Sequence, residues 1–241
     1  MQPSRLENLA KNKYNRLLFV QILFFLGFPF IQANALVNFV FTVLFFLIFL
    51  GTLILTIAEL KDSKKIFRWY LVLAFISFIF EVVGSLSLIV EGRNIPSFII
   101  SNLIFLFFMA VSIWLIIREI FPSHNVNGDT IKGGVCIYLL LGLFWYNIYE
   151  IIYLLNSNSF QGIVSSNSQA DLLYFSYTTL TTVGYGDITP IINIARIFAN
   201  LESIVGIMYP AIYISRLAGI YSHEQEKSSE EPSIKEQEKN Q

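Results

Sequence analysis

Residues 174–190 read YFSYTTLTTVGYGDITP, and the part able to do chemistry is Thr182-Val183-Gly184-Tyr185-Gly186 with Asp187 directly behind it. A helix through these five residues would hold two glycines in its interior, each costing about 1 kcal/mol relative to alanine. What the segment offers instead is backbone oxygen. Gly184 and Gly186 admit positive φ, so alternating residues can turn successive carbonyls the same way without a Cβ clash, while Val183 and Tyr185 point into the surrounding wall. The Thr182 hydroxyl adds an oxygen at the inner end. Oxygens aimed at one axis can replace the water shell of a dehydrated cation.

Such a loop needs helices to carry it, and the composition says in what medium they lie. The 241 residues are 55% hydrophobic and only 14% charged, against roughly a quarter charged in soluble domains, and mean hydropathy is +0.61. The apolar residues gather in blocks at 17–31, 36–58, 69–90, 97–117, 133–155 and 194–220. Five of these reach the ~20 residues a spanning helix requires, and long blocks without alternation exclude a β-barrel. The 182–186 segment lies between two blocks and is too short to cross alone. A loop that enters the membrane and leaves on the same side is acceptable where its backbone lines a water-filled path. Ser168 and Asp171 fit a capping box for a short helix ahead of it, and the partly negative end of that helix near Thr181 would face the membrane centre.

Of the 16 Lys and Arg, 13 fall before the first block, between the second and third, between the fourth and fifth, or after the sixth, and Arg216 near the end of the sixth joins them; only Arg93, in an alternate loop, and Arg196, at the start of the sixth block, lie on the other side. Positive charge collects on the cytoplasmic side, so both termini are expected there. The first block also fits a cleavable signal peptide ending at Ala33-Asn34-Ala35. The alternative is a short first helix ended by Gly27 and Pro29, with Gln32 to Ala35 as a turn. A net charge of −1 gives no basic surface for nucleic acid, and the single Cys136 forms no intrachain disulfide. The organisation expected is a four-helix N-terminal bundle with its linker over 1–131, a pore-forming unit over 132–221 and a disordered polar tail over 222–241.

Residues 171–190, DLLYFSYTTLTTVGYGDITP, resemble the pore helix and filter of the tetrameric potassium channel superfamily, and the core with Asp187 matches without departure. The resemblance covers residues 133–221 well and the first 130 only in helix count. It implies an all-α membrane protein of six transmembrane helices, with a re-entrant pore helix and filter loop between the fifth and sixth. It implies K+ held at Thr182, Val183, Gly184 and Tyr185, with Gly186 completing the filter, and an aromatic cuff of Tyr174, Phe175 and Tyr185. A filter of this type needs four loops around an axis, so one loop per chain implies a homotetramer in membrane lipid. The protein expected is a passive, potassium-selective channel of the plasma membrane (a bacterial inner membrane), without enzymatic activity or a cofactor beyond the permeant ion. A weakly selective cation channel and a non-conducting modulatory subunit are alternatives. So is a GxGD intramembrane aspartyl protease built on Asp187, although no second aspartate lies inside an opposing apolar block.

Three further residues stand out in the last block. By resemblance Gly206 occupies the place of a flexible gating glycine, or else serves close packing, and Pro210 removes a backbone hydrogen bond and kinks the helix. Glu202 is costly in a membrane and is functional by default. It either faces the cavity or lies behind the filter, hydrogen-bonded to the pore helix. Glu150, near the outer end of the fifth block, either braces the loop after Asp187 or sits in interfacial water. Residues 98–117 contain no arginine, so strong voltage gating is not expected.

Overall fold

A computed structural model describes residues 13–27, 35–58, 64–90, 95–121, 128–164 and 168–239. They form helices α1 (Lys13–Gly27), α2 (Ala35–Ala58), α3 (Lys64–Val90), α4 (Ile95–Ile120), α5 (Gly128–Leu155), α6 (Ser168–Leu180) and α7 (Asn193–Lys239), with two short strands, β1 (Phe160–Gln161) and β2 (Thr189–Pro190). Among the described residues, four segments are long and apolar enough to cross a membrane: Lys64–Val83, Phe98–Ile120, Gly128–Leu155 and Asn193–Ile220. The 15 residues of α1 rise about 22 Å at 1.5 Å each, short of the ~30 Å hydrocarbon core. The Gln32–Ala35 turn and the Ala33-Asn34-Ala35 motif lie outside the described residues except for Ala35, which opens α2, and so does the linker up to residue 127.

The outer surface is apolar, with Phe19, Leu26, Trp69, Phe75 and Phe107 all more than 60% exposed. That is the pattern of a multi-pass chain whose solvent is lipid. In lipid, helix association rests on close packing and interhelical hydrogen bonds, because tails are as apolar as leucine. α5 is the hub, packed against α1, α4, α6 and α7. Its glycines admit rings from both later helices. Tyr213 of α7 lies over Gly134, where a Cβ would overlap the ring, and donates to the Thr130 carbonyl at 2.5 Å. Tyr177 of α6 lies over Gly142 in the same way and donates to the Leu139 carbonyl at 2.5 Å. On the opposite side, α1 is fixed by Gln21, which donates to the Cys136 carbonyl at 3.2 Å, and by the Lys13–Glu119 ion pair to the end of α4.

Two expectations need correction. The chain from Ser222 onward was expected to be disordered, but α7 continues as helix to Lys239. Its poverty in apolar residues hid a composition rich in Glu, Gln and Lys, all good helix formers. Asp171 does not complete a capping box with Ser168: its Oδ2 accepts the Val164 amide at 2.8 Å, so the acid ties the incoming loop to the first turn of α6.

Candidate functional site

α6 is 13 residues long and stops at Leu180. The chain then folds back on the helix end, with the Thr182 amide donating to the Thr179 carbonyl at 3.0 Å and the Gly184 amide to the Thr178 carbonyl at 3.1 Å. Thr181 caps the same end through its hydroxyl, 2.6 Å from the Tyr177 carbonyl.

From there the backbone alternates. Thr182, Gly184 and Gly186 have φ of 60°, 49° and 82°, while Val183 and Tyr185 between them do not have positive φ. An alternation of left- and right-handed residues turns successive carbonyls to one side, as it does in backbone nests of the opposite polarity. Glycine supplies this conformation freely at 184 and 186. At Thr182 it costs an L-residue about 1–2 kcal/mol, and nothing in the sequence announced it.

The return leg is held by β1 and β2, paired antiparallel with Phe160 opposite Pro190 and Gln161 opposite Thr189. The Ile191 amide donates to the Ser159 carbonyl at 2.8 Å. Gly162, at φ 90°, lies so close to the Asp187 carbonyl that a Cβ would overlap it. Gly162 was missed from the sequence, where a lone glycine before a polar run reads as an ordinary loop. Arg196 donates from Nε to the Pro190 carbonyl at 3.1 Å and steadies the turn into α7.

The expected aromatic cuff divides. Tyr174 and Tyr185 stack with ring centroids 6.4 Å apart and planes within 4°. Phe175 is instead buried on the far side of α6, edge-on to Tyr149 at 5.0 Å and Phe160 at 5.2 Å. Successive helical residues are about 100° apart, so Tyr174 and Phe175 cannot share one face. Glu150 is buried, and Gln169 in the first turn of α6 donates to it at 3.0 Å, a contact with the start of the short helix.

Glu202 has no exposed surface. Its Oε1 is 2.6 Å from Ser176 Oγ on α6 and its Oε2 2.5 Å from the Tyr149 hydroxyl on α5. Of the two places open to it, it takes the one against the short helix. One turn later Gly206 meets the end of α6, where a Cβ would overlap the Leu180 carbonyl oxygen. Pro210 lies within α7, which continues as helix past it. Ser176 and Tyr149 were not singled out from sequence; a hydroxyl in the middle of a short apolar helix was the available signal for the first. Among the described residues no group of three or more His, Cys, Asp or Glu is placed to hold a metal ion. The oxygens gathered at 182–186 are backbone and hydroxyl.

Comparison with known proteins places these features. Residues 134–223, which contain α6, the 182–186 segment and the first turns of α7, match a family described as an ion channel. Protein LctB of Bacillus caldotenax is 31% identical over 118 residues, 46% of this chain and 86% of LctB. The voltage-gated potassium channel Kch of Escherichia coli (strain K12) is 34% identical over 105 residues, 44% of this chain and 24% of Kch. Two-pore potassium channel 2 of Arabidopsis thaliana is 34% identical over 79 residues, 33% of this chain and 16% of that protein. No solved structure matches the chain.

Proposed function

Since this chain belongs to the potassium channel superfamily, whose members are ion channels and not enzymes, we propose that it is a potassium-selective channel that passes K+ passively through the carbonyls of Thr182 to Gly186. The observation carrying this reading is the positive φ at alternate residues 182, 184 and 186. With each carbonyl turned to the same side, four copies around an axis form stacked rings of oxygens. K+ sits between the rings at Thr182, Val183, Gly184 and Tyr185, and the Thr182 hydroxyl closes the inner end. The end of α6 adds its partial negative charge behind them.

What one chain leaves uncovered supports assembly into the homotetramer. Val183 is 52% and Tyr185 73% exposed, and so is an apolar stripe on α7 through Ile194, Ile197, Leu201, Ile204 and Met208. Spacings of three and four residues place that stripe on one helix face, and neighbouring copies cover part of it while the inner end lines the cavity. In this reading α1 and α2 join the four long helices as a first and second span, α6 and the filter form the re-entrant loop, and both termini lie in the cytoplasm of a bacterial plasma membrane. Asp187 and Tyr174 support the filter from outside, and Glu150 steadies the start of α6. Pore opening takes place along α7 between Gly206 and Pro210.

Reversal potentials of the reconstituted protein under opposed K+ and Na+ gradients test this. The reversal is expected close to the K+ equilibrium potential. A reversal near zero assigns a weakly selective cation channel, and absence of current at every voltage and pH assigns a non-conducting subunit.

A further inference from the structure

Three heavy-atom contacts around Glu202 can be counted for hydrogens. The Tyr149 hydroxyl meets Oε2 at 2.5 Å, Ser176 Oγ meets Oε1 at 2.6 Å, and the same Ser176 Oγ meets the Gly142 carbonyl at 2.8 Å. Tyr149 and Ser176 bring one hydrogen each and the carbonyl brings none. With an ionised Glu202, two hydrogens must serve three contacts, and two acceptor oxygens are left facing each other at hydrogen-bonding distance. With a hydrogen on Oε1 the chain closes: Glu202 donates to Ser176, Ser176 to Gly142, and Tyr149 to Glu202.

Charge leads to the same protonation. The titratable group in contact with Glu202 is Tyr149 on α5, and those near enough to feel its charge are Tyr138 on α5 and Tyr177 on α6, all neutral as phenols. Among the described residues no basic side chain forms an ion pair with Glu202. A fully buried carboxylate with no cation partner carries a desolvation cost that nothing here offsets.

We infer that Glu202 is held as a neutral carboxylic acid whose hydrogen completes a bridge from α7 through α6 to α5, making it a positioning residue for the filter. The filter hangs from the end of α6 by the Thr182 and Gly184 amides, so the placement of α6 between its two neighbours sets the placement of the carbonyls. Removing the Glu202 proton breaks the bridge at Ser176 and frees α6 to shift. The structural half of this inference stands on the proton count; its consequence for conduction rests on the channel reading above.

The test is infrared spectroscopy of the full chain in bilayers with carbon-13-labelled glutamate. At neutral pH the wild type is expected to show a protonated-carboxyl C=O band that shifts with the label, survives Glu150→Gln and is lost in Glu202→Gln. Glu202→Gln, neutral and nearly isosteric, is expected to assemble and to pass K+ within about twofold of wild type, without the alkaline decline that wild type shows. Glu202→Asp keeps the acid but shortens the reach, and is expected to lose about tenfold in flux, the equivalent of ~1.4 kcal/mol. Only ionised carboxylate bands at neutral pH overturn the inference, as do a Gln variant that fails to assemble or an Asp variant that outperforms it. A protonated Glu202 in a protein that carries no current leaves the proton count standing and overturns the channel reading alone.

Discussion

Gly206 of the last helix lies against the Leu180 carbonyl so closely that no side chain fits between them. That contact joins the helix leaving the site to the end of the helix entering it. The position therefore serves packing, whatever bending it also permits. Gly206→Ala must move backbone, not the tip of a flexible side chain, and overpacking of this kind costs about 1–3 kcal/mol or more. Lower thermal stability of the assembled protein, read by a melting curve in detergent, is expected together with reduced flux. Unchanged stability would show that α7 slides freely past α6.

Gly186→Ala should separate folding from selectivity. A Cβ there meets nothing within 4 Å in the chain, yet φ is 82°, so the penalty is conformational, about 1–2 kcal/mol. The chain is expected to assemble, with a melting temperature lowered by only a few degrees, while K+ over Na+ discrimination falls, measured by reversal potential. Full discrimination in the variant would mean that the positive φ is not needed for ion binding.

Tyr213 and Gly134 hold the middle of α7 to the start of α5, since the ring occupies the glycine's side-chain space and its hydroxyl meets the Thr130 carbonyl. Tyr213→Phe removes one hydrogen bond, a loss of about 1 kcal/mol. Gly134→Ala displaces the ring itself and is expected to cost more. Melting temperatures should order wild type, then Tyr213→Phe, then Gly134→Ala.

Voltage should act weakly. α4 carries Arg118 in its last turn and no arginine before it, with the guanidinium over the Trp114 ring at 5.4 Å. One charge crossing the field supplies roughly 2.3 kcal/mol per 100 mV, and steep gating takes three or four per subunit. Conductance–voltage curves are expected to be shallow and unchanged by Arg118→Gln. A steep curve abolished by that substitution would contradict this.

The glycine-bearing segment was legible because its signal is local: two glycines, flanking aromatics and a following acid within one short window. The apolar blocks were legible because hydropathy accumulates over twenty residues. Side-chain destinations across helices were less so. Glu202 and Ser176 are 26 positions apart, and only the crossing of α6 and α7 brings them together. The expected grouping of Tyr174 with Phe175 failed on helical phase, which the sequence does contain: adjacent residues on a helix face different neighbours. Asp171 could cap its own helix or seize the loop before it, and the path of residues 160–164 decided. The helical tail shows the opposite limit, where absence of apolar residues concealed strong local propensity.

The central claim is that four copies of residues 182–186 direct their carbonyls at a shared line of K+ ions. Anomalous diffraction from crystals of the purified protein grown with thallium, a K+ surrogate, tests it most directly. A row of peaks on a fourfold axis, each ringed by carbonyls of Thr182 to Gly186, is the predicted result. Thallium bound elsewhere, or these carbonyls facing away from any common axis, would contradict it.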